Sequence, residues 1–124
     1  MYKEQFKYWQ TGKKTRIYFG ISRVQKNQPV IVLLHGLASN LSRWSEFIQN
    51  NQLIENFDLL RIDLRGHGHS VFRGDINHKL WCEDIAAILA DENYTQVIMI
   101  GHSLGAQTAL HFAALQTKFS LLDF

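Results

Sequence analysis

The sequence predicts an α/β fold, a mostly parallel sheet with helices on both faces. Three runs point to it: "VIVLLHG" after Pro29, "FDLLRIDL" from Phe57, and "TQVIMIG" ending at Gly101. The first is a short, unbroken apolar run bounded by glycine, as expected of a strand buried on both faces rather than a strand with one wet face. The segments that follow them carry apolar residues at helical spacing. Strands alternating with helices of about ten to fifteen residues imply right-handed crossovers, and therefore a parallel sheet.

Taken in order, "EQFKYWQ" and "RIYFGIS" are aromatic and β-branched runs separated by "TGKK", which predicts a hairpin with Gly12 in its turn. Pro29 opens the first buried strand. In "LASNLS", Asn40 or Ser42 is placed to cap a short helix that carries Trp44, Phe47 and Ile48 to about Asn50. "FDLLRIDL" is the second buried strand, and "RGHGHS" a polar loop after it. A helix from about Ile76 to Asp91 is predicted by Trp81, Ile85, Ile88 and Leu89 at i, i+4, i+7 and i+8. "TQVIMIG" is the third buried strand. A helix from Ser103 to Thr117 follows, with Ala106, Leu110, Ala113 and Ala114 along its expected buried face. "FSLLDF" reads as the start of a fourth strand, whose edge would be uncovered.

With 124 residues the chain is expected to form one domain. Hydrophobic residues make up 46% and charged residues 19%, a globular balance, and no run approaches the ~18 apolar residues of a membrane span. "MYKEQFKYWQ" has no apolar secretory core, so a cytoplasmic location is expected. Thirteen basic against eleven acidic residues give a net charge of +2, and only "GKKTR" clusters, so neither nucleic acid nor membrane is an expected partner. Cys82 is the only cysteine, which excludes an internal disulfide and reads as a small buried hydrophobe. His67-x-His69 has no visible third ligand, so no metal site is expected. "GHGHSV" lacks the third glycine of a dinucleotide fingerprint, and no phosphate-binding loop run is present, so no cofactor is expected either.

The chemistry concentrates at Gly101-His102-Ser103-Leu104-Gly105, a G-x-S-x-G run with a strand directly before it and a helix directly after. A serine on so tight a turn is held in strained backbone geometry, and its flanking glycines lie too close to neighbouring backbone to carry side chains. The hydroxyl is displayed at a helix N-terminus, where free N–H groups, that of Leu104 among them, stabilise negative charge. A second donor is expected from the loop in "LLHGLAS", at the end of the neighbouring strand.

Three ordered landmarks, the His35-Gly36-Leu37 loop, "DLRGHGHS" from Asp63 to Ser70 and the serine turn, make the sequence resemble the N-terminal half of the α/β-hydrolase fold superfamily. The resemblance begins at about Gln5 and implies a single-domain fragment, residues 1–124, without the later strands and lid. It implies that Ser103 is the nucleophile and that the Leu37 and Leu104 N–H groups form the oxyanion hole. His35, Gly36, Gly101, His102 and Gly105 then shape the site, while Asp63, Arg65, Gly66 and Gly68 support it without reacting. A serine rather than an aspartate nucleophile implies cleavage of an ester, thioester, lactone or related acyl bond in a small-molecule substrate. Leu37, Trp44 and Leu104 are candidates for lining an acyl pocket.

The same resemblance implies an acid and then a histidine after the serine. His111 lies about 12 Å along the helix that Ser103 opens, out of reach. Asp123 is a weak candidate for the acid, and His67, His69 and His102 are weak candidates for the base. Two readings follow: the front half of a serine hydrolase, with low activity as this chain, or a non-catalytic module that self-associates through an exposed sheet edge.

Overall fold

The computed structural model describes residues 3–11, 15–24, 29–50, 52–70 and 74–119. The turn expected at Gly12, most of "FSLLDF" and the candidate Asp123 lie outside them. Among the described residues five strands form one mixed sheet in the order β1-β2-β4-β3-β5. β1 (Gln5–Thr11) and β2 (Thr15–Ser22) are the predicted antiparallel hairpin, and β2 also runs antiparallel to β4 (Asp58–Ile62). β3 (Val30–Leu34) lies at the centre, parallel to β4 on one side and to β5 (Val97–Gly101) on the other.

Helices cover both faces. On one face α3 (His78–Asp91) and α4 (Leu104–Phe119) pack over a core that includes Phe19, Val32, Leu60, Trp81, Ile85, Leu89 and Phe112. On the other, a 3-10 turn (Leu41–Trp44) leads into α1 (Ser45–Gln49), and Ile48 closes over Ile31, Leu33 and Leu59. The fully buried β3 and β4 explain why their sequences show no alternation: each side chain has a layer to enter whichever way it points. The buried Cys82 lies in α3, and burial pushes its thiol up to about 11.

Several expectations are corrected. The helix expected up to Asn50 is split between the 3-10 turn and α1, with Asn40 as the cap accepting from the Ser42 N–H at 2.9 Å. A further one-turn helix, α2 (Leu53–Asn56), precedes β4. The helix expected from Ile76 starts at His78, because Asn77 caps it by accepting the Leu80 N–H. β5 is a strand, but a half-exposed one, with Ile98 43% exposed: β3 is its only partner among the described residues.

The buried face of α4 is also not the one expected. Leu110 is 73% exposed and Ala113 and Ala114 face solvent, whereas Gly105, Thr108 and Phe112 are buried. The close approach falls at Gly105, where an added Cβ would stand 2.2 Å from the Leu34 carbonyl oxygen. That contact sets the rotation of the helix. α4 runs to Phe119, so Phe119 is helical and does not open a strand.

Candidate active site

β5 ends at Gly101, and α4 begins at Leu104, leaving two residues to make the turn. His102 continues the strand pairing by donating its N–H to the Leu34 carbonyl at 3.0 Å. Ser103 then adopts φ +55°, in the left-handed region that costs a residue with a Cβ about 1–2 kcal/mol. The bend is tight enough that a Cβ on Gly101 would lie 2.3 Å from the Gly105 carbonyl oxygen. Ser103 is exposed, and its carbonyl accepts from the N–H groups of Ala106 and Gln107. The Leu104 N–H, first in its helix, donates to no carbonyl among the described residues.

The His35-Gly36-Leu37 loop lies against this turn. A Cβ placed on Gly36 would stand 3.3 Å from His102 Nδ1 and 3.5 Å from the Ser103 Cβ. His35 is fully buried, and its tautomer is fixed by its partners: Nε2 accepts the Leu64 N–H at 3.0 Å, so Nδ1 carries the proton and donates to the Gly36 carbonyl at 2.7 Å. Burial lowers the pKa of this imidazole, and it stays neutral. Because the Gly36–Leu37 peptide is trans, tying its carbonyl to the His35 ring directs the Leu37 N–H away from that ring. That N–H likewise has no carbonyl partner among the described residues. The Leu37 side chain is 69% exposed. Leu104 packs on the core below α4 and Trp44 on the opposite core, so they do not line one pocket.

The loop after β4 ties the site together. Asp63 is fully buried; one oxygen accepts the Leu41 N–H at 2.7 Å and the other the His69 N–H at 2.8 Å. Gly66 and Gly68 take positive φ, and no Cβ fits at Gly68 beside the Asp63 carboxylate. Arg65 holds Asp84 of α3 through two bonds of 2.9 and 2.7 Å. Burial nonetheless raises the Asp84 carboxyl, with Arg65 opposing it.

None of the six histidines hydrogen-bonds the Ser103 hydroxyl. His35 is committed as above. His67 is buried, its ring 5.0 Å from that of His35 and its Nδ1 facing the Arg65 carbonyl at 3.3 Å. His69 sits over Tyr18 with its ring facing Asp63 at 3.5 Å. His102 Nε2 faces Arg43 Nη2 at 3.5 Å. His111 stacks on His78 with centroids 4.4 Å apart. No group of three metal-ligating side chains occurs among the described residues.

The His78–His111 stack, invisible in the sequence because it depends on how two helices register, carries a pH dependence. The Thr108 hydroxyl donates to the Leu104 carbonyl and therefore accepts from His78 Nδ1, leaving Nε2 to titrate. Burial first, and then His111, lower the His78 pKa. His35 shifts the same way. The unfolded chain takes up these protons near pH ~6.5 while the folded one resists them, so the stability they contribute is present above that pH and is lost on acidification. Urea midpoints are expected to fall between pH 7.5 and 5, and His111→Ala should flatten part of that slope. An unchanged slope in the variant would refute the coupling.

Comparison with known proteins fits this geometry. The family model described as alpha/beta hydrolase fold matches residues 29–119. A Haemophilus influenzae protein, whose name assigns it provisionally to the esterases and lipases, is 38% identical over 72% of this chain and 30% of its own length. The pimeloyl-[acyl-carrier protein] methyl ester esterase of Vibrio vulnificus is 35% identical over 73% of this chain and 33% of its own. Among solved structures, MGS-M2, an alpha/beta hydrolase enzyme from a Medee basin deep-sea metagenome library, superimposes with a TM-score of 0.78 at 28% identity, over 94% of this chain and 41% of that one. The chain thus spans about a third of the length of these curated relatives. No helix among the described residues is long and apolar enough to cross a membrane. The sheet order, the strained serine turn and the family match together make the chain a member of the α/β-hydrolase fold family.

Proposed function

We propose that the chain carries the nucleophile half of a cytoplasmic serine hydrolase that cleaves ester, thioester or related acyl bonds of a small molecule, and that residues 1–124 are the N-terminal part of one such domain. The observation that carries this reading is Ser103 at φ +55°, locked between two glycines that meet backbone on both sides and set against the Gly36 loop. Such strain persists where the display of a side chain requires it. The Ser103 Oγ attacks the substrate carbonyl carbon, and the new oxyanion is held by the Leu37 and Leu104 N–H groups. Expulsion of the alcohol or thiol leaves an acyl-serine, which water hydrolyses. The names of the relatives support the acyl chemistry.

A serine hydroxyl at neutral pH needs a base, and none of the six histidines is placed to serve as one. The chain alone is therefore expected to acylate slowly, to turn over p-nitrophenyl esters poorly and to take up a fluorophosphonate probe at Ser103 only on long incubation. Ser103→Ala should abolish the labelling. Labelling that persists in the variant, or wild-type protein that stays unlabelled while folded, would remove the nucleophile assignment.

A second reading, a non-catalytic module that self-associates, is favoured by one region. β5 has an unpaired edge among the described residues, Ile98 is exposed, and the nearby core holds the buried Trp44 Nε1 with no acceptor there. A concentration-dependent dimer in sedimentation, together with unlabelled Ser103, would favour it over the first.

A further inference from the structure

We propose that Arg43 is the specificity-determining residue of this site, and that it selects acyl substrates bearing an anionic oxygen group, a carboxylate or a phosphate. The inference rests on the assignment of Ser103 as the site of reaction and adds the substrate class.

Arg43 differs from the other arginines among the described residues. Arg23 pairs with Glu92, Arg61 with Glu4 and Arg65 with Asp84, whereas Arg16 lies over the Tyr8 ring. Arg43 has no carboxylate partner among the described residues; its guanidinium is exposed, and its one hydrogen-bonding neighbour is His102, at 3.5 Å. His102 directly precedes Ser103, and its other ring nitrogen borders Gly36. The imidazole thus bridges the Arg43 head group and the loop that carries the Leu37 N–H.

The backbone beneath Arg43 is fixed. Asn40 caps the 3-10 turn, and its carbonyl accepts the Arg43 N–H at 3.1 Å. The Leu41 N–H is held by Asp63 and the Leu41 carbonyl by Arg61, which also donates to the Ser45 hydroxyl at 2.8 Å. An arginine on a backbone anchored in this way, with most of its five donors unspent among the described residues and its head group beside the residue that precedes Ser103, is organised for two-point recognition of a carboxylate or phosphate. The positive end of α4 and the unpartnered N–H groups of Leu37 and Leu104 add to the same field.

The test does not require turnover. Monomethyl glutarate, its neutral counterpart dimethyl glutarate, and monomethyl phosphate would be titrated into the wild-type chain and into Arg43→Ala and Arg43→Lys, with Arg43 Nε and His102 ring resonances followed by NMR. For an exposed charge, the glutarate monoester is expected to bind about 3- to 5-fold more tightly than the diester. The preference should weaken with salt, vanish in Arg43→Ala and survive partly in Arg43→Lys. A carboxylate source is indicated if the glutarate monoester binds better than the phosphate ester, and a phosphate source if the order reverses. Equal binding of the monoester and diester, absence of binding, or a preference retained in Arg43→Ala would overturn the proposal. An anion preference alongside Ser103 that resists fluorophosphonate would instead retire the nucleophile assignment and leave the Arg43 site standing.

Discussion

Gly105→Ala is expected to lower stability by about 3 kcal/mol, or to prevent folding, although it adds a single methyl group to a good helix former. The added Cβ would stand 2.2 Å from the Leu34 carbonyl oxygen, 2.6 Å from its carbon and 2.7 Å from the His35 carbonyl oxygen. All three are backbone atoms of the central strand and its exit, held by pairing on both sides, so they cannot turn aside as a side chain would. The helix must retreat instead. Gly36→Ala is the matched control: its nearest neighbour, His102 Nδ1 at 3.3 Å, is the end of an exposed side chain that can yield a few tenths of an ångström, for a cost below about 1 kcal/mol. Urea denaturation of both variants tests the contrast. A Gly105→Ala protein with an unchanged midpoint would mean that α4 does not press on β3.

Asp63→Ala is the second large effect, with about 3 kcal/mol expected from two lost charge-assisted hydrogen bonds and a buried Leu41 N–H left without an acceptor. Asparagine should not rescue it. Each carboxylate oxygen faces an N–H donor, so whichever way the amide is turned, its NH2 group confronts a hydrogen it cannot accept. Because Leu41 closes the segment that begins at the His35-Gly36-Leu37 loop, both variants are also expected to slow fluorophosphonate labelling of Ser103. Asp63→Asn with wild-type stability would show that one of the two bonds contributes nothing.

Much of this architecture was legible from the sequence, and the failures have physical causes. β3 is readable because burial on both faces leaves a continuous apolar run, β4 despite Asp58 and Arg61, which are buried against Tyr94 and Glu4, and α3 because its single buried stripe repeats at i, i+4, i+7 and i+8. β5 is almost as apolar as β3, yet it is half exposed. Its position at the edge among the described residues follows from strand order, and no property of "VIMIG" itself encodes that. α4 misleads for a different reason. Its alanines suggest a close-packed face, but the contact is made by Gly105, and the buried Thr108 looks polar until its hydroxyl is seen bonded to the Leu104 carbonyl.

The serine turn was legible through its glycines, since the clashes they avoid are local to the motif. The roles of Arg43 and of the His78–His111 stack were not, because each depends on two segments far apart in the chain meeting at a particular rotation. The one available signal for Arg43 was its position in the first turn after the Asn40 cap.

The central place of β3 also bears on how the molecule is assembled. β5 pairs with β3 across a long stretch of intervening chain, Val97 opposite Val30, whereas β4 reaches β3 over a much shorter one, Asp58 opposite Val30. Closing the longer loop costs more chain entropy, which orders the hairpin and the β3–β4 pair ahead of β5. The serine bend therefore has no independent existence during folding, and the strain at Ser103 is taken up only once the rest of the sheet is there to bear it.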